Sequence, residues 1–229
     1  ECVNANFGHG YYNIGYCYYS GSFGYSKDAE KAFNYYKMSA EQYYAPGCYN
    51  IGLMYLSGIG CSKNVNKGIE QLTTAAYLGH LKSQKKLGDI YYFGEVTKRN
   101  YNKAYEFYLM AAENGDAYSM YSVGYMVVKK EVTTVDRYDG IRWLTKAVDA
   151  GNEEAKKLLD NLLLELEKID GVLKVIKTAN SYEITIREQK YSKNVFAYIK
   201  TKDSITKYML EEPSLEEIFV EKVGEVYGK

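Results

Sequence analysis

Proline is nearly absent from this chain of 229 residues, with Pro46 and Pro213 its only two. So few prolines beside 20 glycines suggest helices punctuated by turns, and the composition excludes disorder and collagen. A charge of one sign is missing as well: 29 basic residues balance 29 acidic ones. Up to Gly151 the count is 16 basic to 14 acidic, and beyond it 13 to 15. Neither part is basic enough to follow a phosphate backbone, so no nucleic acid partner is expected. No run approaches the roughly 18 apolar residues of a bilayer-spanning helix, so no direct membrane insertion is expected either. The chain opens Glu1-Cys2-Val3-Asn4, with no initiator Met and no basic-then-apolar start of a signal peptide. It reads as a cut piece of something longer, and a cytoplasmic location is the expectation.

Reactive side chains are also scarce. His9 and His80 are the only histidines, and Cys2, Cys17, Cys48 and Cys61 lie in the first 61 residues with no C-x-x-C. Cys48 and His80 would make a nucleophile and base, but no third group orients them. Four scattered cysteines are a poor tetrahedral zinc set. The carboxylates are spread over exposed helix positions, with no pair in an apolar setting that would raise a pKa. The phosphate-binding pattern G-x-x-x-x-G-K-[ST] is absent. No catalytic residue, cofactor or metal site is expected, and the chain reads as non-enzymatic.

What the chain does have is a period. Aliphatic-Gly pairs stand at Ile14-Gly15, Ile51-Gly52, Leu87-Gly88 and Val123-Gly124, with glycines 37, 36 and 36 residues apart. Three residues after each Gly come Tyr18, Tyr55, Tyr91 and then Val127; six after come Gly21, Gly58, Gly94 and then Lys130. Asp28, Asn64, Asn100 and Asp136 each precede a helical pattern, as N-caps do. Small pairs follow at Ser39-Ala40, Ala75-Ala76 and Ala111-Ala112. The pattern predicts two helices per copy: helix A, ending at the turn glycine, and helix B, starting at the Asx cap. A glycine within helix A costs roughly 1 kcal/mol against Ala. Its regular use predicts close contact there with the small pair of helix B, Gly88 against Ala111-Ala112 for instance. Such units cannot bury their faces alone and stack into a right-handed α-solenoid.

These residues resemble the Sel-one-like repeat (SLR), a relative of the tetratricopeptide repeat. Copy three carries the pattern as Leu87-Gly88, Tyr91, Gly94, Asn100, Lys103-Ala104, Ala111-Ala112 and Gly115-Asp116; copy two as Ile51-Gly52, Tyr55, Gly58-Ile59-Gly60, Lys67, Ala75-Ala76 and Gly79-His80. The resemblance covers roughly residues 4–160, and a helix at about Glu153 to Lys168 would cap the stack. It implies an all-α solenoid of helix-turn-helix repeats over 1–168 that works as a scaffold. Secreted relatives staple helices with cysteines about eight residues apart. Cys48 holds the second such place, but Ala40 stands at the first, which favours free thiols in a reducing compartment.

After Lys168 the period ends. Val172-Leu173-Lys174-Val175-Ile176 and Tyr182-Glu183-Ile184-Thr185-Ile186 read as strands joined by a turn at Ala179-Asn180-Ser181. A helix near Ser192–Lys200, a strand near Ile205–Leu210 and a final helix from Pro213 to about Val226 follow. Pro213 suits a first helical turn, and Glu216 and Glu217 its positive end. This predicts a small α+β domain over 169–229, in the order β-β-α-β-α. Leu166-Glu167-Lys168-Ile169-Asp170-Gly171-Val172 and Glu212-Pro213-Ser214-Leu215-Glu216-Glu217-Ile218-Phe219 resemble the C-terminal extension of ATP-binding subunits of ABC-type exporters. That implies a contact with a transporter subunit, or an alternative reading as an accessory or regulatory fragment of such an ATPase without its nucleotide-binding core. Leu56-Ser57-Gly58-Ile59-Gly60 mimics the start of an ABC signature loop, but its register explains it as a helix end and repeat turn.

Of the 27 tyrosines, 22 precede Gly151. Tyr18, Tyr55 and Tyr91 recur in register and read as core. The positions three before and one after the Gly vary: Tyr12, Tyr49, Lys85 and Tyr121, then Tyr16, Leu53, Asp89 and Tyr125. On helix A they face away from the packed stripe. They are either a tyrosine-rich binding surface for a protein or peptide on the concave helix-A face, or residues partly buried between neighbouring copies.

Overall fold

The computed structural model describes the backbone of residues 2–135, 137–167, 172–177, 181–186 and 216–221, and side chains within 7–135 and 139–162. Nine helices lie among the described residues: α1 (Cys2–Ser20), α2 (Ala29–Glu41), α3 (Ala45–Ser57), α4 (Val65–Tyr77), α5 (Leu81–Phe93), α6 (Tyr101–Glu113), α7 (Ala117–Val128), α8 (Arg137–Asp149) and α9 (Glu153–Glu167). The chain divides into two compact units, 1–126 and 127–229, and the division falls inside α7.

In the first unit α1 packs on α2, α3 on α4 and α5 on α6, while α2 meets α3 and α4 meets α5. The aliphatic residues before the A-helix glycines are its core: Ile51, Leu87 and Val123 are buried, each stabilising by about 1.5–3 kcal/mol. Gly58 (φ 77) and Gly94 (φ 71) end α3 and α5 in the left-handed region, their amides donating to the Met54 and Ile90 carbonyls. In the fourth copy Lys130 (φ 60) takes that conformation without glycine's freedom.

The caps fall where their spacing puts them. Asp28, Asn64 and Asn100 each accept the amide N–H three residues on, from Lys31, Lys67 and Lys103, at 3.0 Å. The cap residues' own amides donate to the carbonyls of Tyr18, Tyr55 and Tyr91 at 2.9, 2.8 and 2.8 Å. The same lysines place their ammonium groups over those tyrosine rings, 5.4, 5.7 and 5.1 Å from the centroids. Tyrosine, Asx and lysine thus close a cycle that ties helix A to helix B in three copies. Asp136, the fourth expected cap, lies outside the described residues.

One packing expectation is corrected. The notch at the A-helix glycine holds a large side chain of helix B, not its small pair. A Cβ on Gly15 would stand 2.9 Å from Cδ1 of Tyr36, one on Gly52 2.9 Å from Cγ of Leu72, and one on Gly88 would enter the edge of the Tyr108 ring. A missing Cβ opens space, and a large group fills it better than two small ones meeting. The small pairs serve the next copy's helix A: Ser39 lies where a Cβ on Gly47 would go, and the Gln84 side chain donates to the Ala76 carbonyl at 3.0 Å.

The turn from B to the next A holds Gly79 (φ 83), Gly115 (φ 88) and Gly151 (φ 84), but Tyr43 (φ 54) in the first copy. A left-handed non-glycine residue costs about 1–2 kcal/mol. Tyr43 is 71% exposed, so little burial offsets that cost. Tyr43→Gly is expected to stabilise the chain by about 0.5–1 kcal/mol after glycine's own entropy is subtracted. Urea melts check this, and an unchanged or lower midpoint contradicts it.

In the second unit α9 covers the helix expected at about Glu153 to Lys168 and lies against α8 and β1. Strands β1 (Val172–Lys177), β2 (Ser181–Ile186) and β3 (Glu216–Glu221) form one sheet in that order, both pairs antiparallel. The first two lie where the alternating pattern put them, with an irregularity between Val172 and Lys174. The third overturns the expected final helix, since Ile218 pairs with Ile184 and Val220 with Tyr182. The β-branched Ile218 and Val220 and the aromatic Phe219 favour a strand once a partner edge is present, which outweighs the helix-start signals of Pro213 and Glu216. The expected helix near 192–200, the strand near 205–210 and the turn residues Ala179-Asn180 lie outside the described residues.

Candidate partner-binding face

The A helices α1, α3, α5 and α7 carry all eight candidate residues. Of those three before the glycine, Tyr12, Tyr49 and Lys85 reach the residue that opens the next A helix. Tyr12 packs edge-on to Tyr44 with centroids 5.6 Å apart and leans on Tyr36 at 5.8 Å. The Tyr49 ring lies 4.8 Å from that of His80, and the Lys85 ammonium pairs with the Asp116 carboxylate at 3.0 Å. Tyr44, His80 and Asp116 are themselves 36 residues apart. Half-buried contacts with the start of the next A helix therefore occupy these three positions.

Each junction has its own electrostatics. Burial, helped by Lys82, pushes the His80 imidazole below its ordinary pKa, and its Nδ1 shares a 2.8 Å hydrogen bond with the Ser83 hydroxyl. At Asp116 burial acts to raise the carboxyl pKa. The Ser119 hydroxyl and amide, at 2.8 and 2.9 Å, and Lys85 outweigh it and hold the group below the carboxylate range.

The residues one past the glycine differ more. Tyr16 is exposed, while Leu53, Asp89 and Tyr125 are half-buried. Tyr121 and Tyr125 meet at 5.7 Å. Asp89 Oδ1 accepts the Tyr108 hydroxyl at 2.7 Å and that of Tyr118 at 3.4 Å. Burial first, then Asp89, pushes the Tyr108 phenol far above its usual range. The eight residues thus form successive rungs along the A helices, not one cluster. Tyr108, Tyr118 and the contact role of the 44, 80, 116 series escaped the sequence reading, although His80 and Asp116 stood in the repeat pattern itself.

Cys17, Cys48 and Cys61 are free thiols. Cys48 is buried, with Sγ 3.8 Å from the Ala40 carbonyl, and burial pushes its thiol up to about 11. Thiolate is the reactive form. In the folded protein Cys48 is expected to resist a thiol reagent at pH 8, while unfolding without reductant releases four reactive thiols. Two or fewer after unfolding would contradict the free-thiol assignment. Among the described residues no helix is long and apolar enough to cross a membrane.

Four consecutive stretches, 8–44, 45–80, 81–116 and 117–152, match the family described as Sel1 repeat. Residues 153–223 match the family described as ATP-binding protein DrrA1-3-like, C-terminal domain. A crystal structure of a Sel1 repeat protein from Oxalobacter formigenes superposes with TM-score 0.62 at 30% identity, over 68% of this chain and 64% of that one. The structure of c5321, a protective antigen of uropathogenic Escherichia coli displaying an SLR fold, gives TM-score 0.61 at 21% identity, over 86% of this chain and 39% of that one; it bears on the fold alone. An uncharacterized ABC transporter ATP-binding protein, YhaQ of Bacillus subtilis (strain 168), is 41% identical over 68 residues, which is 30% of this chain and 23% of that protein. One of Alkalihalophilus pseudofirmus is 31% identical over 63 residues, covering 28% and 24%. The chain thus spans about a quarter of the length of these curated relatives.

Proposed function

The chain belongs to the Sel1 repeat family through residues 8–152, and from that premise we propose that it is a non-catalytic scaffold binding a protein or peptide partner along its concave helix-A face. The observation that carries this is the makeup of that face. Helices α1, α3 and α7 contain no charged residue, yet Tyr16 and Tyr118 stand exposed on them. Tyrosine gives a large contact area at small entropic cost, which suits a binding surface. Tyr12, Tyr49, Lys85 and Tyr121 would shape the floor, and Tyr16, Leu53, Asp89 and Tyr125 the contact edge.

The proposed division is a solenoid over 1–168 and a small α+β domain over 169–229, acting in the cytoplasm. The likeness of 153–223 to ABC ATP-binding subunits supports a transporter subunit as the contact of the second domain. No phosphate loop accompanies it in this sequence, so the chain is expected not to bind ATP, and saturable binding in calorimetry would overturn the non-catalytic reading. Photo-crosslinking in the native cell tests the face. A benzophenone side chain at Tyr16, Leu53 or Tyr125 is expected to capture a protein partner, whereas one at Lys37 or Glu106 on helix B is not. Adducts from helix B alone, or none, would refute it.

A further inference from the structure

The face has one charge that the other copies do without. The position after the A-helix glycine is Tyr16, Leu53, Asp89 and Tyr125 in successive copies. In the third copy one carboxylate oxygen serves the fold by accepting the buried Tyr108 hydroxyl, and the other is left over. Asp89 is also the only acidic residue in α1, α3, α5 and α7. The cation one turn away on the same helix, Lys85, is engaged elsewhere, by Asp116 at 3.0 Å and over the Tyr118 ring at 5.2 Å. No cation among the described residues pairs with Asp89.

The surroundings of Asp89 favour an incoming positive group. Both tyrosyl hydroxyls donate to Oδ1, which fixes the carboxylate, while no hydrogen bond from the described residues reaches Oδ2. Asp89 is only half-buried, and Tyr118 beside it is 39% exposed. The Tyr108 and Tyr118 rings stand 6.1 Å apart at a steep 75° angle, giving walls around the carboxylate. A carboxylate takes a guanidinium or ammonium by charge-assisted hydrogen bonds, which the second oxygen of Asp89 is placed to accept. We propose that Asp89, with Tyr118 beside it, seats a cationic side chain, arginine foremost, of the peptide or protein partner that docks on the helix-A face.

This rests on the binding face proposed above, and the test separates the two. A random dodecapeptide library displayed on phage is selected against the whole chain. Enriched sequences are expected to share an Arg or Lys. A synthetic copy of the best is expected to bind at least tenfold more weakly to Asp89→Asn, a change that keeps an acceptor for Tyr108. Replacing its Arg by citrulline, or its Lys by acetyl-lysine, is expected to cause the same loss on the parent chain and no further loss on Asp89→Asn. The peptide arm uses the unaltered protein, so a folding defect in the variant cannot mimic it. Enriched peptides without a cation, or binding indifferent to the neutralised peptide, overturn the role of Asp89 and leave the face standing; no enrichment at all overturns both.

Discussion

Gly88→Ala is expected to lower the unfolding midpoint, and Gly10→Ala to raise it. The two substitutions are chemically identical, and both glycines lie inside A helices. Propensity alone favours Ala at each by roughly 1 kcal/mol. At Gly10 that gain stands, because an added Cβ would meet nothing within 4 Å. At Gly88 the Cβ would enter the Tyr108 ring, whose residue is only 1% exposed and has no room to retreat. Overpacking of this kind costs about 1–3 kcal/mol, so it outweighs the propensity gain. Urea melts of the two variants beside the parent chain measure the contrast. Stabilisation by Gly88→Ala would mean that Tyr108 does not fill the notch.

Asp89→Ala is the second large effect, and it departs from what the sequence suggested. A residue on an open helix face should be nearly silent when truncated. Here truncation removes the acceptor of the buried Tyr108 hydroxyl, and an unsatisfied buried group costs about 1–3 kcal/mol. The lower part of that range applies, because the Tyr118 hydroxyl is close enough to take over part of the bond. Tyr108→Phe introduced together with Asp89→Ala should restore part of the loss, since removing both partners leaves nothing unpaired. A double variant no more stable than Asp89→Ala alone would show that the hydroxyl is not the cause.

These two cases mark where the sequence was informative. The caps Asp28, Asn64 and Asn100, and the helix-ending Gly58 and Gly94, act within a few residues of themselves, so spacing sufficed to place them. The occupant of the glycine notch sits 20 or 21 residues away, as Tyr36, Leu72 and Tyr108, and changes chemistry between copies, which hid it. Tyr43 was hidden for a related reason: an aromatic residue gives no local sign that the chain needs a left-handed turn there. Strand β3 shows the reverse failure, where real local signals for a helix lose to a ladder with β2 that only the folded chain supplies. Among the candidate binding residues, spacing put Tyr12, Tyr49 and Lys85 on the right helices but could not tell that each reaches the residue opening the next A helix.

The junctions those three residues make respond differently to acid and to salt. Tyr12 against Tyr44 is a contact of neutral rings, indifferent to mild acid and to added salt. Tyr49 meets His80, whose pKa is depressed by burial in the folded chain. The stability this histidine contributes is full above its unfolded pKa of about 6.5 and is lost as pH falls through that value toward the folded one. Lys85 with Asp116 is an ion pair, with side chains 35% and 15% exposed, and salt screens it. Mild acid therefore weakens the contact at the start of α5, and concentrated salt the one at the start of α7, so that successive joints of one stack answer to different solvents.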